Sequence, residues 1–193
     1  MNSGSTRDRI LDVAQALIVE RGYSGFSFAD ISDRVEIRKA SIHHHFPTKA
    51  ALGAQVVERY RADVRDGLSA AMAQTASPRA QLQAFVDYWG QRIHDRTLSF
   101  CVCAMLGSEA ETLPGELRAE VRQHFVDLSR WLAAVMEEGA RLGELRLAAS
   151  PALEGETFMD TAHGAMLSAR VLDSPENYLS VMEAALRRIT AAS

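Results

Sequence analysis

The spacing of apolar residues is helical along most of the chain. Apolar side chains recur every three or four positions, which places them on one face of an α-helix. No stretch alternates apolar and polar residues with the two-residue period of a strand. The pattern therefore predicts an all-α protein of about nine helices. The clearest apolar rows are Ile10–Ile18, Leu52–Met72, Leu82–Ile93, Leu117–Met136, Met159–Ala169 and Tyr178–Ile189.

Proline and glycine indicate where these helices begin and end. Three of the five prolines directly follow a serine. Serine is a good N-cap, and proline is well tolerated in the first helical turn. Gly22 predicts the end of the first helix, and the pair Asp66 and Gly67 predicts a kink or a helix end inside the second row. Each proline predicts a helix start: Pro47, Pro78, Pro114, Pro151 and Pro175.

Composition restricts the class of protein. Apolar residues make up 47% and charged residues 24% of the 193 residues, which is typical of a globular chain. No run of 18 uncharged apolar residues is present, so no membrane-spanning helix is expected. The first ten residues contain no apolar signal core, so we expect a cytoplasmic protein. Two cysteines, Cys101 and Cys103, are too few for a disulfide framework.

Charge is distributed unevenly along the chain. Residues 1–61 hold nine Lys or Arg and seven Asp or Glu, whereas the remainder holds twelve and eighteen. The first part is therefore net positive and the rest net negative, with a total of −4. Both lysines, Lys39 and Lys49, lie in the positive part. This asymmetry favours contact between the N-terminal segment and a polyanion.

Two short helices are predicted before residue 47. A capped start at Ser27 leads into the first, the residues Glu36–Arg38 interrupt the pattern, and a second helix runs from about Lys39 to Phe46. Two short helices joined by such a turn form a helix-turn-helix. Ile42 and Phe46 are four residues apart and are expected to point into the core. A left-handed Glu36 in the turn would be strained by about 1–2 kcal/mol.

The candidate DNA contacts are of two kinds. The first turn of a recognition helix reads base edges, and an arginine or lysine there can pair with the O6 and N7 atoms of guanine. Helix N-termini and nearby cations suit phosphates. The first kind comprises Arg38, Lys39 and Ser41, and the second comprises Ser27 and Lys49. His43 and His44, further along the helix, suit either phosphate or base-edge contacts.

Residues 6–60 closely resemble the DNA-binding domain of the TetR/AcrR family of transcriptional regulators. The segments that carry the resemblance are ILDVAQALIVERGYSGFSFADISDRVEI and RKASIHHHFPTKAAL. The sequence departs from the family pattern at three positions. His43 stands where a tyrosine is most frequent, Glu36 where glycine is commonest, and Ala50 where an acidic residue is usual.

The resemblance implies two domains and a function. A three-helix DNA-binding domain is expected over residues 1–47, with the family match extending to about residue 60, and a larger helical sensor and dimerisation domain over residues 48–193. The implied function is a DNA-binding regulator, a repressor released from its operator by a small-molecule, electrophile or oxidant inducer. The implied partners are double-stranded operator DNA, the inducer and a second copy of the chain. No cofactor, metal, membrane or enzymatic activity is expected.

Dimerisation is expected through the last two helices, at about residues 151–173 and 175–191. A dimer can place two recognition helices about 34–36 Å apart on one side of B-DNA. The alternative is that these apolar rows only complete the core of a single chain. The expected interface residues are Met159, Ala162, Met166, Ala169, Met182, Leu186 and Ile189.

Two kinds of sensor are predicted. Residues 99–109 are similar to a segment of the NemR-like branch of the family, whose regulators respond to electrophiles or oxidants, and Cys101 matches its cysteine position. A thiol near a helix start or a cation is reactive, whereas a buried one is an ordinary core residue. The other option is a non-covalent cavity, although residues of these types also suit a plain core. Its candidate wall residues are Tyr60, Trp89, Phe100, Cys101, Met105, Trp131, Met159 and His163.

Two other functions compete with the regulator. One is a dimeric helical interaction module that does not bind specific DNA. The other is a metal-binding helical enzyme, because Asp160 with His163 and Glu120 with His124 each share a helix face. A di-iron bundle needs two Glu-x-x-His pairs and further glutamates, and the sequence contains only fragments of such a set.

Overall fold

The computed structural model describes residues 5–73 and 75–190, which form nine α-helices and no β-strand. The predicted all-α class and number of helices are thus confirmed for the described residues. The predicted end of the last helix, at 191, lies outside them. The helices are α1 (Thr6–Arg21), α2 (Phe28–Val35), α3 (Lys39–His45), α4 (Lys49–Met72), α5 (Pro78–His94), α6 (Val102–Gly107), α7 (Gly115–Arg141), α8 (Pro151–Val171) and α9 (Pro175–Ile189).

A helix begins at or within two residues after each of the five prolines, as predicted. Ser77 caps α5 by accepting a hydrogen bond from the N–H of Ala80 at 3.2 Å. Ser150 caps α8 in the same way, with the N–H of Leu153 at 3.3 Å. These bonds satisfy N–H groups that have no partner inside the helix. Local sequence therefore determines where these helices start.

The prediction of a helix end at Asp66 and Gly67 is wrong, because α4 continues through both residues, and the alternative of a kink stays a prediction. A Cβ atom at Gly67 would lie 2.5 Å from Cε2 of Tyr88 in α5. Glycine at this position makes room for the tyrosine ring. The residue therefore reflects helix packing and not a helix break.

The chain divides into two compact units. The first contains the residues up to Ala62 together with Val102–His124, and the second contains Asp63–Cys101 together with the residues from Phe125 onwards. In the first unit α1 packs against α2 and α6, and α2 packs against α3. These units are defined by contacts within the chain. The predicted boundary after residue 47 separates a DNA-binding part from the rest by function, and it stays a prediction.

In the second unit, α9 packs against α8 and α5. Aromatic rings form part of its interior. The ring of Phe85 lies 5.9 Å from Trp131 and 6.0 Å from Phe158, measured between centroids. Tyr178 and Trp89 are almost completely buried. Burial of these apolar side chains stabilises the packing of the helices in the second unit.

The turn between α2 and α3 is closed by hydrogen bonds around a left-handed residue. Glu36 has φ 59° and ψ 46°, so the conformation considered from the sequence is present. The N–H of Ile37 donates to the carbonyl of Ser32 at 3.2 Å, and the Ser32 hydroxyl donates to the carbonyl of Ile37 at 2.6 Å. These bonds hold Glu36 in a backbone conformation that favours glycine.

Replacing Glu36 with glycine should stabilise the protein. We expect Glu36→Gly to raise the free energy of unfolding by about 0.5–1 kcal/mol, because relief of left-handed strain exceeds the added flexibility of the unfolded chain. The matched control is Asp33→Gly at an exposed position inside α2, which should instead destabilise by about 0.5–1 kcal/mol. Thermal and denaturant unfolding followed by circular dichroism measure both. A lower midpoint for Glu36→Gly would contradict the strain.

Candidate nucleic-acid interface

Helix α3 is held in the first unit by its apolar side. Ile42 and Phe46 are both completely buried, as predicted from their spacing. Arg38, Lys39 and Ser41, at the start of the helix, are exposed. Burial of one side of so short a helix fixes the direction in which the other side points. The structure thus brings together the three predicted base-reading residues on one exposed turn.

Arg38 and Lys39 differ from the arginines of α1 and α2 in having no acceptor among the described residues. Arg9 donates to the carbonyl of Val35 at 2.6 Å, and Arg34 donates to Glu20 at 2.7 Å. The remaining two arginines of these helices are also engaged, Arg7 with Gln55 and Arg21 with Asp30. The charges at the start of α3 therefore remain available for an external anion.

The predicted imidazole contacts lie further along α3 and are exposed. His43 packs edge-on against Phe28, the first residue of α2, with 4.8 Å between ring centroids. Its Nδ1 atom lies 3.4 Å from the carbonyl oxygen of Pro47. The ring of His44 lies edge-on to that of the half-buried His45, with 5.5 Å between centroids. The neighbours of His43 therefore fix the orientation of its ring, and a fixed ring suits the predicted contact with DNA.

Ser27 forms a complete capping box at the start of α2. Its hydroxyl oxygen accepts from the N–H of Ala29 at 3.2 Å, and the hydroxyl donates to the Asp30 carboxylate at 2.7 Å. The side chain is exposed. A contact from Ser27 to a DNA phosphate stays a prediction, and the hydroxyl already serves as a cap.

Lys49 does not extend into solvent as its predicted role requires. It is half-buried, and its ammonium donates to the carbonyl oxygens of Tyr23, at 2.5 Å, and Phe26. It also lies 4.5 Å and 4.2 Å from the centroids of these two rings. Burial lowers the pKa of Lys49, an effect that the charges of Glu109 and Asp30 oppose. The ammonium thus holds the α1–α2 turn, and its contact with a DNA phosphate stays a prediction.

The residues predicted for the dimer interface lie largely inside the chain. Six of the seven are at most 6% exposed, and Ile189 is half-buried. A side chain that is already buried has no surface left for a partner to cover. Six of the predicted residues thus lie on the face of α8 and α9 that packs within the chain, whereas an interface role for Ile189 stays a prediction. The six buried residues are Met159, Ala162, Met166, Ala169, Met182 and Leu186.

The opposite face of α8 is exposed although it carries large apolar residues. Leu153 and Leu167 are each 53% exposed and Val171 is 74% exposed. Between them, a Cβ at Gly164 would meet nothing within 4 Å, so this position is open to close approach. The exposed row is Leu153, Thr157, Asp160, Gly164, Leu167 and Val171.

Helix α9 continues this surface. Val181 is 36% exposed, and with residues of α8 it lines a groove of about 560 Å³. The hydroxyls of Thr157 and Thr161 on the groove donate to carbonyls of their own helix at 2.8 and 2.7 Å. Their methyl groups can therefore meet an apolar partner without leaving a hydroxyl unpaired. We name the exposed row of α8 together with this groove the α8–α9 face.

The candidate sensor residues are mostly core side chains. Tyr60 and Met105 belong to the first unit, whereas the other six belong to the second. Within the second unit, Trp131 packs on Phe85 and His163 packs on Phe125 with 5.4 Å between centroids. Others of the set have different neighbours: Met159 Sδ accepts from Ser129 at 3.7 Å, and Phe100 lies 5.9 Å from the Arg170 guanidinium. Trp89 is 1% exposed.

Cys101 and Cys103 are both completely buried and form no disulfide. Cys101 immediately precedes α6, so the predicted helix start near residue 100 is present. Electrophiles attack accessible thiolates, and burial in apolar surroundings opposes both access and ionisation. The structure thus agrees with the alternative in which both thiols are core residues.

The described residues contain no cluster of three or more His, Cys, Asp or Glu side chains able to hold a metal ion. Nor do they include a helix of sufficient length and hydropathy to cross a membrane.

Helix α3 is short, is held by its buried side and carries exposed cations at its start. It follows the capped helix α2 and a tight turn. This arrangement is that of a helix-turn-helix DNA-binding protein. The sequence matches the family described as "Bacterial regulatory proteins, tetR family" over residues 10–56. It also matches "Tetracyclin repressor-like, C-terminal domain" over residues 78–185. These matches cover more than half of the chain, which therefore belongs to the TetR family of transcriptional regulators. Members bind operator DNA as homodimers and respond to small-molecule inducers.

Similar proteins include regulators of known structure and named repressors. A TetR-family transcriptional regulator from Agrobacterium tumefaciens shares 45% identity, with a TM-score of 0.94, over 98% of this chain and all of that one. The repressor DhaR of Mycobacterium sp. (strain GP1) is 24% identical over 86% of this chain and 82% of its own. The repressor NemR of Escherichia coli K12 is 23% identical over 89% of this chain and 87% of its own.

The two lysines provide a direct test of the geometry. We expect Lys49→Met to lower the free energy of unfolding by about 1.5–3 kcal/mol, because it removes the charged donor to two turn carbonyls. Lys39→Met removes the same charge from an exposed position and should change stability by less than about 0.5 kcal/mol. Denaturant unfolding measures both variants. Equal stability of the two would show that Lys49 does not hold the turn.

Proposed function

We propose that this chain is a repressor that binds its operator through α3 and is released by a small-molecule inducer. The observation that carries the proposal is the exposed pair of cations at the start of α3, which have no acceptor on the described chain while the helix behind them is buried. The names of the relatives DhaR and NemR, both called repressors, support a repressor over an activator.

The proposed DNA-binding domain extends over residues 1–47. Arg38, or Lys39 beside it, pairs with a guanine edge in the major groove, and Ser41 contacts a neighbouring base or phosphate. His43 and His44 contact the backbone from further along the helix. At the start of α4, the first N–H groups of the helix, rather than the Lys49 ammonium, face a phosphate. Phosphate contacts supply affinity, and the base contacts supply the choice of sequence.

Residues 48–193 form the proposed sensor and dimerisation part, and the α8–α9 face is the proposed contact with the second copy. Large apolar exposure on a single chain is a mark of such interfaces. The row on α8 combines leucine and valine with an open glycine, which allows two helices to approach closely. This assignment replaces the buried residues that sequence analysis selected.

The proposed inducer binds without a covalent step at Cys101. Complete burial of Cys101 supports a reversible small-molecule ligand over direct attack by an electrophile. Release follows a shift in population towards a dimer whose recognition helices no longer match successive grooves. The proposed location is the cytoplasm, where operator DNA is found, and no enzymatic step is part of the function.

Removing the predicted guanine contact should lower affinity for the operator more than affinity for DNA of arbitrary sequence. We expect Arg38→Ala to weaken binding to the operator by about 1–3 kcal/mol and to relax the preference at one base pair. The control is Arg130→Ala, which removes the same charge from an exposed side chain on α7. Operator DNA selected from a random pool and scrambled DNA are compared by titration at fixed salt. Equal losses on both sequences for Arg38→Ala would contradict base reading.

Charging the α8–α9 face should separate the dimer. We expect Leu167→Glu to give a monomer, because the carboxylate would lose its water on association and the apolar contact of the leucine would be lost. Leu142→Glu is the matched control, since Leu142 is 48% exposed but lies outside α8 and α9. Light scattering after size exclusion gives the mass of each variant. A dimeric Leu167→Glu, or a monomeric Leu142→Glu, would place the interface elsewhere.

A further inference from the structure

Glu109 holds the turn between α1 and α2 from a position far along the chain. Its Oε1 atom accepts from the backbone N–H of Tyr23 at 2.6 Å, and its Oε2 atom accepts from the N–H of Ser24 at 2.9 Å. Glu109 lies just after α6, 86 residues beyond Tyr23. One carboxylate therefore satisfies two consecutive donors of a turn that has no helix to satisfy them.

Lys49 supplies the complementary half of this arrangement. It donates to the carbonyls of Tyr23 and Phe26, on the same turn. The N–H groups of the turn thus meet a carboxylate, while its carbonyl oxygens meet an ammonium. Two side chains from different helical segments thus hold the same turn.

The local sequence is adapted to this carboxylate. Gly22 has φ +77°, and a Cβ there would overlap Oε1 of Glu109. Burial alone would raise the pKa of Glu109, but hydrogen bonds from Ser24 and Tyr23 and the charge of Lys49 outweigh it and lower the pKa. Glu109 is thus ionised at neutral pH, with both oxygens available as acceptors.

The turn sets the direction of the helices that follow it. Ser27 caps α2 directly after Phe26, so the end of the turn is the start of α2. Helix α2 packs against α3, with the Phe28 ring edge-on to His43. A displaced turn therefore displaces α2 and, with it, the exposed residues at the start of α3.

We propose that Glu109 is a positioning residue for DNA reading, which acts by fixing the α1–α2 turn and through it the direction of α3. The inference rests on the proposed function and adds to it a residue that touches no DNA and lies outside the helix-turn-helix sequence. Its chemical requirement is a pair of acceptor oxygens. A carboxamide of the same shape has only one, and its NH₂ group opposes the second turn N–H.

The test is Glu109→Gln beside Glu111→Gln, which makes the same charge change at an exposed position of the same segment. For Glu109→Gln we expect operator affinity about tenfold lower than in the Glu111→Gln control, with scrambled-DNA affinity equal in the two, and exchange of the Tyr23 and Ser24 amides about tenfold faster. A merely structural loss would lower the active fraction and thus both DNA affinities equally. Deuterium exchange followed by mass spectrometry and DNA titration supply the two readouts.

Several outcomes would overturn the proposal. These are operator affinity of Glu109→Gln within twofold of the control, equal losses on operator and scrambled DNA, or unchanged exchange at residues 23 and 24. If Glu109→Gln fails to fold, Glu109→Asp is measured instead. Its side chain is one methylene shorter and withdraws both oxygens from the two N–H groups, so operator affinity equal to that of the unaltered chain would overturn the proposal. Failure of the unaltered chain to prefer any sequence is a different result, since it removes the proposed function itself and the role of Glu109 with it.

Discussion

The docking of α3 is the constraint on which the other features depend. Seven residues are too few for a helix to persist alone in water, so α3 exists because Ile42 and Phe46 are buried. That burial uses one side of the helix and leaves Arg38 and Lys39 on the exposed side. A strained Glu36 and an ammonium drawn away from solvent are both tolerated because they hold the elements against which α3 packs.

Much of the fold could be predicted because its signals are local. A serine followed by proline specifies a helix start within a few residues, and a capped turn between two short apolar rows specifies the helix-turn-helix. The outward trio at the start of α3 follows from the same short-range pattern, since positions 42 and 46 determine which side is buried. In each case the residues that decide the structure lie within one or two turns of each other.

The features that sequence reasoning missed all involve partners distant along the chain. A lysine has a long flexible side chain, and nothing near Lys49 in sequence shows that it turns towards Tyr23. Glu109 meets its donors 86 residues away, and Gly67 accommodates a ring on another helix. Helix α8 has apolar residues on both faces, so the methionine-rich row could be assigned to either the core or a partner. The exposed Leu167 decides between them only when the fold is known.

The two proposed binding surfaces depend on different physical interactions, and they lie in parts of the chain with opposite net charge. The α8–α9 face associates by covering apolar area, whereas the start of α3 meets DNA through charge and polar edges. An excess of positive over negative charge is found only in the first third of a chain whose total is −4. Because the chain as a whole is net negative, we expect it to bind DNA of arbitrary sequence only weakly. Discrimination between the operator and other DNA then depends on a few base contacts that each subunit of the dimer makes. The side chains that make these contacts must therefore be held in a fixed direction.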